Sequence, residues 1–402
     1  MVENIRLTSY IKGINYYKVR KSGLFKVKIT PDYINGKRKV LLIAISTYTS
    51  GDAQSTRVDD IAESVKNTFD VIVITSYADP NRMKQSFPEI LVKKNYYLSF
   101  MSKDIKKIFK TAELVIVETG LPYAFCSFLN EIKFIWILYG PDVGIRFSGS
   151  YILMNRLNIL LERKFLLKSA KVLITPADWV SNFYREKGLN AISIPAAIDR
   201  SIFWRARKKK IDVNNIRLLM VGYWDGFHGR KRQHEFIKIL PSIVEHFPNI
   251  RVTIAGLDLL SMYTLERLAI TLGLSEKIYF VGRLSPKEVA NVMNESDIFI
   301  SNTISDAFYR IIIEAFGCGL PAIARDATGI IPDFHLAPKH HIRNSRAGVL
   351  YDGSSSSFLI ALKEVIQKYE LFSENAIRYA QQFDREGILK KYHDLIISSI
   401  EN

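Results

Sequence analysis

Residues 39–46, KVLLIAIS, are apolar at consecutive rather than alternate positions, which a strand tolerates only when both of its faces are covered. A strand of that kind belongs in a parallel sheet, because each parallel connection needs a crossover of a dozen or more residues that lays a helix on the sheet. A helical stretch at about 56–67 and a second buried run at 70–75 (DVIVIT) follow the loop 47–55. Further short strand-like runs stand at 114–117, 134–138, 172–175 and 191–194, separated by segments with room for helices. The cycle then restarts, with strands expected at 216–221, 251–255, 278–281, 298–301 and 321–324 and helices at 231–246, 261–272, 286–294 and 309–316. At 402 residues the chain exceeds what one hydrophobic core usually supports. The expectation is an α/β protein of two Rossmann-like domains, 1–200 and 216–380, joined by a basic linker at 201–215, with 381–402 set apart after them.

Charge divides the two halves. Residues 1–210 carry 35 Lys and Arg against 18 Asp and Glu, a net +17, whereas the remainder carries 21 against 22, a net −1. A basic surface draws anionic membranes, nucleic acid or phosphorylated molecules, and is equally compatible with a solvated face. Residues 1–38 mix Lys and Arg with Tyr10, Tyr16, Tyr17 and Tyr33; alternation of Phe25, Val27 and Ile29 with Lys26 and Lys28 reads as a half-buried strand capping the first domain, or as a membrane-touching arm. Residues 1–12 lack the apolar core of a secretory signal, and no run approaches the ~18 apolar residues of a membrane span. The expected location is the cytoplasm, including the inner face of the membrane. Cys126 and Cys318 stand in opposite halves without partner His spacing, which supports neither a disulfide framework nor a metal site.

Chemistry-bearing residues are densest at 301–321, SNTISDAFYRIIIEAFGCGLP, where a strand end leads through a polar loop into an apolar helix. Asp306 precedes that helix and Glu314 lies eight positions on, about two turns deeper on a nearby face, so both can face one groove. Unbonded amides at the helix start, Phe308, Tyr309, Arg310 and Ile311, suit a diphosphate. Asp306 reads equally well as a helix cap. Earlier, Gly222 ends the strand LLMVG, and Arg230, Lys231 and Arg232 open the next helix; fixed cations there stabilise the negative charge of a departing diphosphate. Gly282 and Arg283 end the strand YFV, a weak signal on its own.

These residues resemble the retaining glycosyltransferases of family 4, which have the GT-B fold. That family shows an acid, seven residues, then Glu followed by small residues and Pro; Asp306 and Glu314–Ala315–Phe316–Gly317–Cys318–Gly319–Leu320–Pro321 match it, with Asp in place of the usual first Glu. The family's Gly, Phe, Gly after the first acid is Ala307, Phe308, Tyr309 here, its Arg after the first glycine is Tyr223, and its His after the strand FIWIL is Tyr139. The resemblance implies that Asp306 holds the sugar hydroxyls, Glu314 the ribose hydroxyls, and Lys231 with Arg230 the donor phosphates. It places Gly282 beside the base and Gly51 in a turn facing the donor. Residues 383–395 resemble the family's helix crossing back over the first domain. The implied activity is transfer of a sugar from a UDP- or GDP-sugar, without metal or cofactor, to a glycan or lipid-linked acceptor; nucleic acid is a minor variant. A GT-B sugar-nucleotide epimerase and a noncatalytic nucleotide-sugar binder are the rival readings.

Overall fold

The computed structural model describes residues 39–45, 47–48, 53–75, 77–78, 89–92, 109, 111–118, 124, 127–139, 166–207, 210–330 and 333–401. The readings on residues 1–38, Gly51, Cys126 and 140–142 lie outside these.

Strands β1 (Lys39–Ala44), β3 (Phe69–Thr75), β5 (Glu89–Val92), β6 (Ala112–Val117), β7 (Phe134–Ile137), β8 (Val172–Thr175) and β9 (Ala191–Ser193) form a parallel sheet in the order β5-β3-β1-β6-β7-β8-β9. A small pair, β2 (Thr47–Tyr48) with β4 (Tyr77–Ala78), lies apart. The reason β1 is apolar from Val40 on is visible in its packing: Leu41 and Ile43 enter one hydrophobic cluster and Leu42 enters another. Helix α1 (Ala53–Val65) buries Val58, Ile61, Ala62 and Val65, one helical face, in the cluster that holds Leu41 and Ile43.

The second sheet is also parallel, with β10 (Arg217–Val221), β11 (Arg251–Ala255), β12 (Ile278–Val281), β13 (Ile298–Ser301), β14 (Ala322–Arg325) and β15 (Gly348–Tyr351) in the order β12-β11-β10-β13-β14-β15. Its central strands again divide their side chains, Leu219 and Phe299 to one side, Leu218, Met220, Ile298 and Ile300 to the other. In each sheet the chain builds outward from one central strand and then returns to start the other half beside it, between β1 and β6 and between β10 and β13. At such a reversal the loops leaving the two strands diverge and open a crevice at the carboxyl ends, where ligands bind in folds of this type.

The segment connecting the sheets is packed: the Asn294 side chain bonds the Trp204 carbonyl and the Ala206 amide at 3.1 and 2.9 Å, and Arg205 pairs with Glu374 at 3.0 Å. At its start the Ile198 amide donates to the Phe383 carbonyl at 3.0 Å. From there the helix Arg385–Glu401 runs onto the first sheet, burying Ile388, Tyr392 and Ile396 among Leu41, Val58 and Ile61. Arg385 Nε reaches Asp60 Oδ1 of α1 at 2.9 Å.

Two boundary differences matter for the site. The helix read from Lys231 starts at Gln233 (Gln233–His246), because Arg232 sits in the left-handed region at φ 49° and its carbonyl accepts from the Asn302 side chain at 2.6 Å. Arg230 and Lys231 are therefore loop residues. Likewise the helix read from Tyr309 starts at Arg310 (Arg310–Gly317), with Tyr309 left-handed at φ 58°.

Replacing Ile396, fully buried, by Ala is expected to destabilise the protein by about 2–5 kcal/mol in urea unfolding. An exposed-site control such as Lys391→Ala should stay within about 0.5 kcal/mol; equal effects would show that the helix does not help close the first core.

Candidate active site

The loop after β10 turns at Gly222, whose φ of 150° suits glycine and whose Cβ position is approached to 3.9 Å by the Lys231 side chain. Asp225 organises the return: its carboxylate accepts from the amides of Arg230 at 2.7 Å and Lys231 at 3.2 Å and lies 3.6 Å from Arg230 Nε. The Gln233 side chain pins the start of the loop by donating to the carbonyls of Gly222 and Tyr223, both at 3.2 Å. The loop after β13 is tied to it through the Ile304 amide, which donates to the Arg230 carbonyl at 2.9 Å.

This cross-tie brings Lys231 Nζ to 3.3 Å from Asp306 Oδ2 and 4.4 Å from the centre of the Tyr309 ring. Asp306 Oδ1 accepts from the amides of Phe308 and Tyr309 at 3.1 and 2.8 Å. Capping and an ionic role, open alternatives in the sequence, coexist in one carboxylate. The same bonds correct the diphosphate seat read at the helix start: two of its four amides are taken by Asp306 itself. One turn into the helix Arg310 Nε meets Glu314 Oε1 at 2.9 Å.

All of these groups line one cavity of about 290 Å³. Its second-sheet wall is Val221, Gly222, Tyr223, Lys231, Asp306, Phe308, Tyr309, Arg310, Ile311 and Glu314; its first-sheet wall is Arg57, Tyr139 and Ala196. The two crevices therefore face each other across it. Arg230 stands just behind the wall, donating to the Tyr223 hydroxyl. Tyr139, just after β7, donates its hydroxyl to Glu118, which directly follows β6.

Gly282 and Arg283 do not line the cavity. They follow β12, the edge strand, which β11 separates from β10, so they lie about two strand spacings, roughly 10 Å, from the reversal. Arg57, which does line it, escapes sequence reading because a single Arg in a polar helical turn carries no pattern. Among the described residues no group of three or more His, Cys, Asp or Glu is placed to hold a metal ion, and no helix is long and apolar enough to cross a membrane.

The two acids differ electrically. Burial pushes the Asp306 carboxyl upward, but Lys231, Arg230 and the two amides outweigh it and hold the group below the usual carboxylate range. For Glu314 burial dominates over Arg310 and holds the group above that range. Behind Phe308 lies His341, fully buried, whose Nε2 bonds the Phe308 carbonyl and whose Nδ1 lies 3.1 Å from the Tyr379 hydroxyl. A neutral ring protonated at Nε2 satisfies both partners. Burial lowers its pKa to about 4.

The fold is GT-B, two Rossmann-like domains facing each other across a cleft, and the cavity occupies that cleft. Residues 205–382 match the family model of Glycosyl transferases group 1. The chain is similar to a D-inositol 3-phosphate glycosyltransferase of Rhodococcus erythropolis, 28% identical over 152 residues, 36% of this chain and 33% of that protein. It is also similar to the phosphatidylinositol N-acetylglucosaminyltransferase gpi3 subunit of Schizosaccharomyces pombe, 28% identical over 164 residues, 40% of this chain and 35% of that protein. The chain thus spans about a third of the length of these relatives. Among solved structures, Anabaena HepE in complex with UDP and glucose superposes with a TM-score of 0.68 at 18% identity, covering 90% of this chain and 100% of that one. WaaG, a glycosyltransferase involved in lipopolysaccharide biosynthesis, gives 0.64 at 18% identity, covering 89% and 99%.

Because His341 titrates lower in the folded chain than in the unfolded one, its contribution to stability is complete above pH 6.5, falls as the pH drops towards 4, and is then exhausted. The span corresponds to roughly 3 kcal/mol. Thermal unfolding of the wild type should lose stability across this window more steeply than His341→Asn; parallel curves would contradict the assignment.

Proposed function

We propose that this protein is a glycosyltransferase of the retaining family 4 type, moving a sugar from a UDP- or GDP-sugar to an acceptor without a metal ion. The observation that carries the reading is the convergence of Lys231, Asp306 and Glu314 on one cavity at facing crevices. The group 1 match over residues 205–382 supports it, as does the likeness to HepE, which was solved with UDP and glucose.

In this reading the resting ion pair is a placeholder. A sugar diphosphate entering between Lys231 and Asp306 gives the ammonium a phosphate oxygen and the carboxylate the sugar hydroxyls, so each charge exchanges one partner for another. Arg230 adds positive potential from behind Tyr223, and Glu314, released from Arg310, accepts the ribose hydroxyls. As the bond from the sugar to the diphosphate breaks, the departing phosphate oxygen gathers charge beside Lys231 and helps take the proton of the attacking acceptor hydroxyl on the same face of the sugar. The protein's part is to hold reactants together and to stabilise charge already waiting in place. The basic first half motivates an anionic, lipid-linked or glycan acceptor and a peripheral position on the inner face of the membrane. The epimerase and binder readings differ in outcome: an epimerase converts its nucleotide sugar with no acceptor, and a binder makes no product.

A panel of UDP- and GDP-sugars should include one that raises the melting temperature by mass action. Glu314→Ala is expected to weaken binding of that nucleotide by about 10–100-fold, the loss of charge-assisted hydrogen bonds, and Lys231→Ala to lower kcat by about 10²–10³. Absence of binding by any nucleoside diphosphate, together with an inert Glu314→Ala, would end the proposal. For the acceptor, binding to anionic liposomes should fall between low and high salt, and salt-independent binding would contradict an electrostatic attraction.

A further inference from the structure

The first-sheet wall of the cavity contains a cation to which the proposed transfer assigns no task. Arg57 stands early in α1, the helix that follows β1 at the reversal of the first sheet, and is 3% exposed. Its guanidinium lies 5.0 Å from the centre of the Tyr139 ring, and the Tyr139 hydroxyl is in turn held by Glu118. A guanidinium held over an aromatic ring is attracted to the ring face without using up its N–H groups. Two of its nitrogens, Nε and Nη1, which lie on different sides of the fork, are buried and have no hydrogen-bond partner among the described residues.

Glu118 and Asp60 both favour the charged form of Arg57 without reaching ion-pair distance. Asp60, one turn along α1, pairs with Arg385 at 2.9 Å. Of the other cations lining the cavity, Lys231 is paired with Asp306 at 3.3 Å and Arg310 with Glu314 at 2.9 Å. Arg57 is the lining cation with no carboxylate at ion-pair distance among the described residues. Buried cations with unsatisfied N–H groups are costly to fold around, so a position that retains one needs a compensating anion.

We propose that Arg57 is an oxyanion-binding residue of the cleft, donating its N–H groups to oxygens of a phosphate group while Tyr139 supports the guanidinium. Planar bidentate recognition is what Arg supplies and Lys does not. The location rests on the cleft being the reaction site, but the anion seat is a property of Arg57 and its surroundings. The phosphate has two sources, the diphosphate of the donor or an anionic group on the acceptor.

Calorimetric titration of the full chain separates them, using wild type, Arg57→Met and Arg57→Lys. Inorganic pyrophosphate should bind the nucleotide-free wild type and bind Arg57→Met at least tenfold more weakly, with Arg57→Lys between them. If UDP or GDP weakens in parallel while the matching nucleoside does not, the donor diphosphate is the ligand. If nucleotide affinity is unchanged and inorganic phosphate binding to the nucleotide-saturated protein drops instead, the acceptor anion is the ligand. Pyrophosphate binding that depends on Arg57 in a protein that binds no nucleotide would leave the seat standing and remove the glycosyltransferase reading. The inference is overturned if the wild type binds none of these anions, or if all bind wild type and Arg57→Met alike. Anion affinity rather than melting temperature is the deciding readout: a merely structural arginine would lower the melting temperature and leave anion affinity unchanged. Should Arg57→Met not fold, Arg57→Gln, which keeps a polar edge without the charge, is read in the same titrations.

Discussion

The contact between Lys231 and Asp306 joins the two loops that leave the central strands of the second sheet, and the rest of the site is arranged around it. An ion pair withdrawn from water recovers its desolvation only when its remaining polar atoms are also satisfied. Here they are: Asp306 Oδ1 holds two backbone amides while Oδ2 faces the ammonium, and the ammonium also lies over the Tyr309 ring. The arrangement binds a cation and an acid into one neutral unit inside the cavity wall.

Tyr309 shows how far the loop is constrained by its surroundings. A left-handed backbone costs a residue with a Cβ about 1–2 kcal/mol, and the family the sequence resembles has glycine at this position. The side chain compensates by what it touches, the Lys231 ammonium on one side and the Phe299 ring at 6.3 Å on another. The peptide before it is held by His341 through the Phe308 carbonyl. His341 in turn meets Trp179 of the first domain edge-on at 5.3 Å, and Trp179 stacks on His340 at 4.6 Å. A short chain of rings thus connects the first domain to the backbone beside Asp306.

Much of the architecture was legible because strands covered on both faces leave uninterrupted apolar runs, as at 40–45 and 298–300. β5 and β15 were not, since EILV and GVLY are four residues long and carry no such mark. Lys231, Asp306 and Glu314 were found through their spacing and resemblance, and the structure gathers them. What the spacing could not show was that the resting charges would satisfy one another, or that Asp306 would consume amides read as open. Gly282 and Arg283 stand apart from that cavity because of sheet order, a property that no local motif encodes. Arg57 and its place over the Tyr139 ring depend on a helix and a strand end meeting in space, so nothing local to either segment announces them.

The helix Arg385–Glu401 has a consequence for synthesis. Arg385 meets its partner Asp60 at a sequence separation of 325, and Ile388, Tyr392 and Ile396 fill a layer otherwise begun by β1 and α1. During translation the first domain must therefore wait, with that layer uncovered, while the whole second domain is made. Until that helix is made, the layer stays an apolar surface of the kind that chaperones and wrong partners bind.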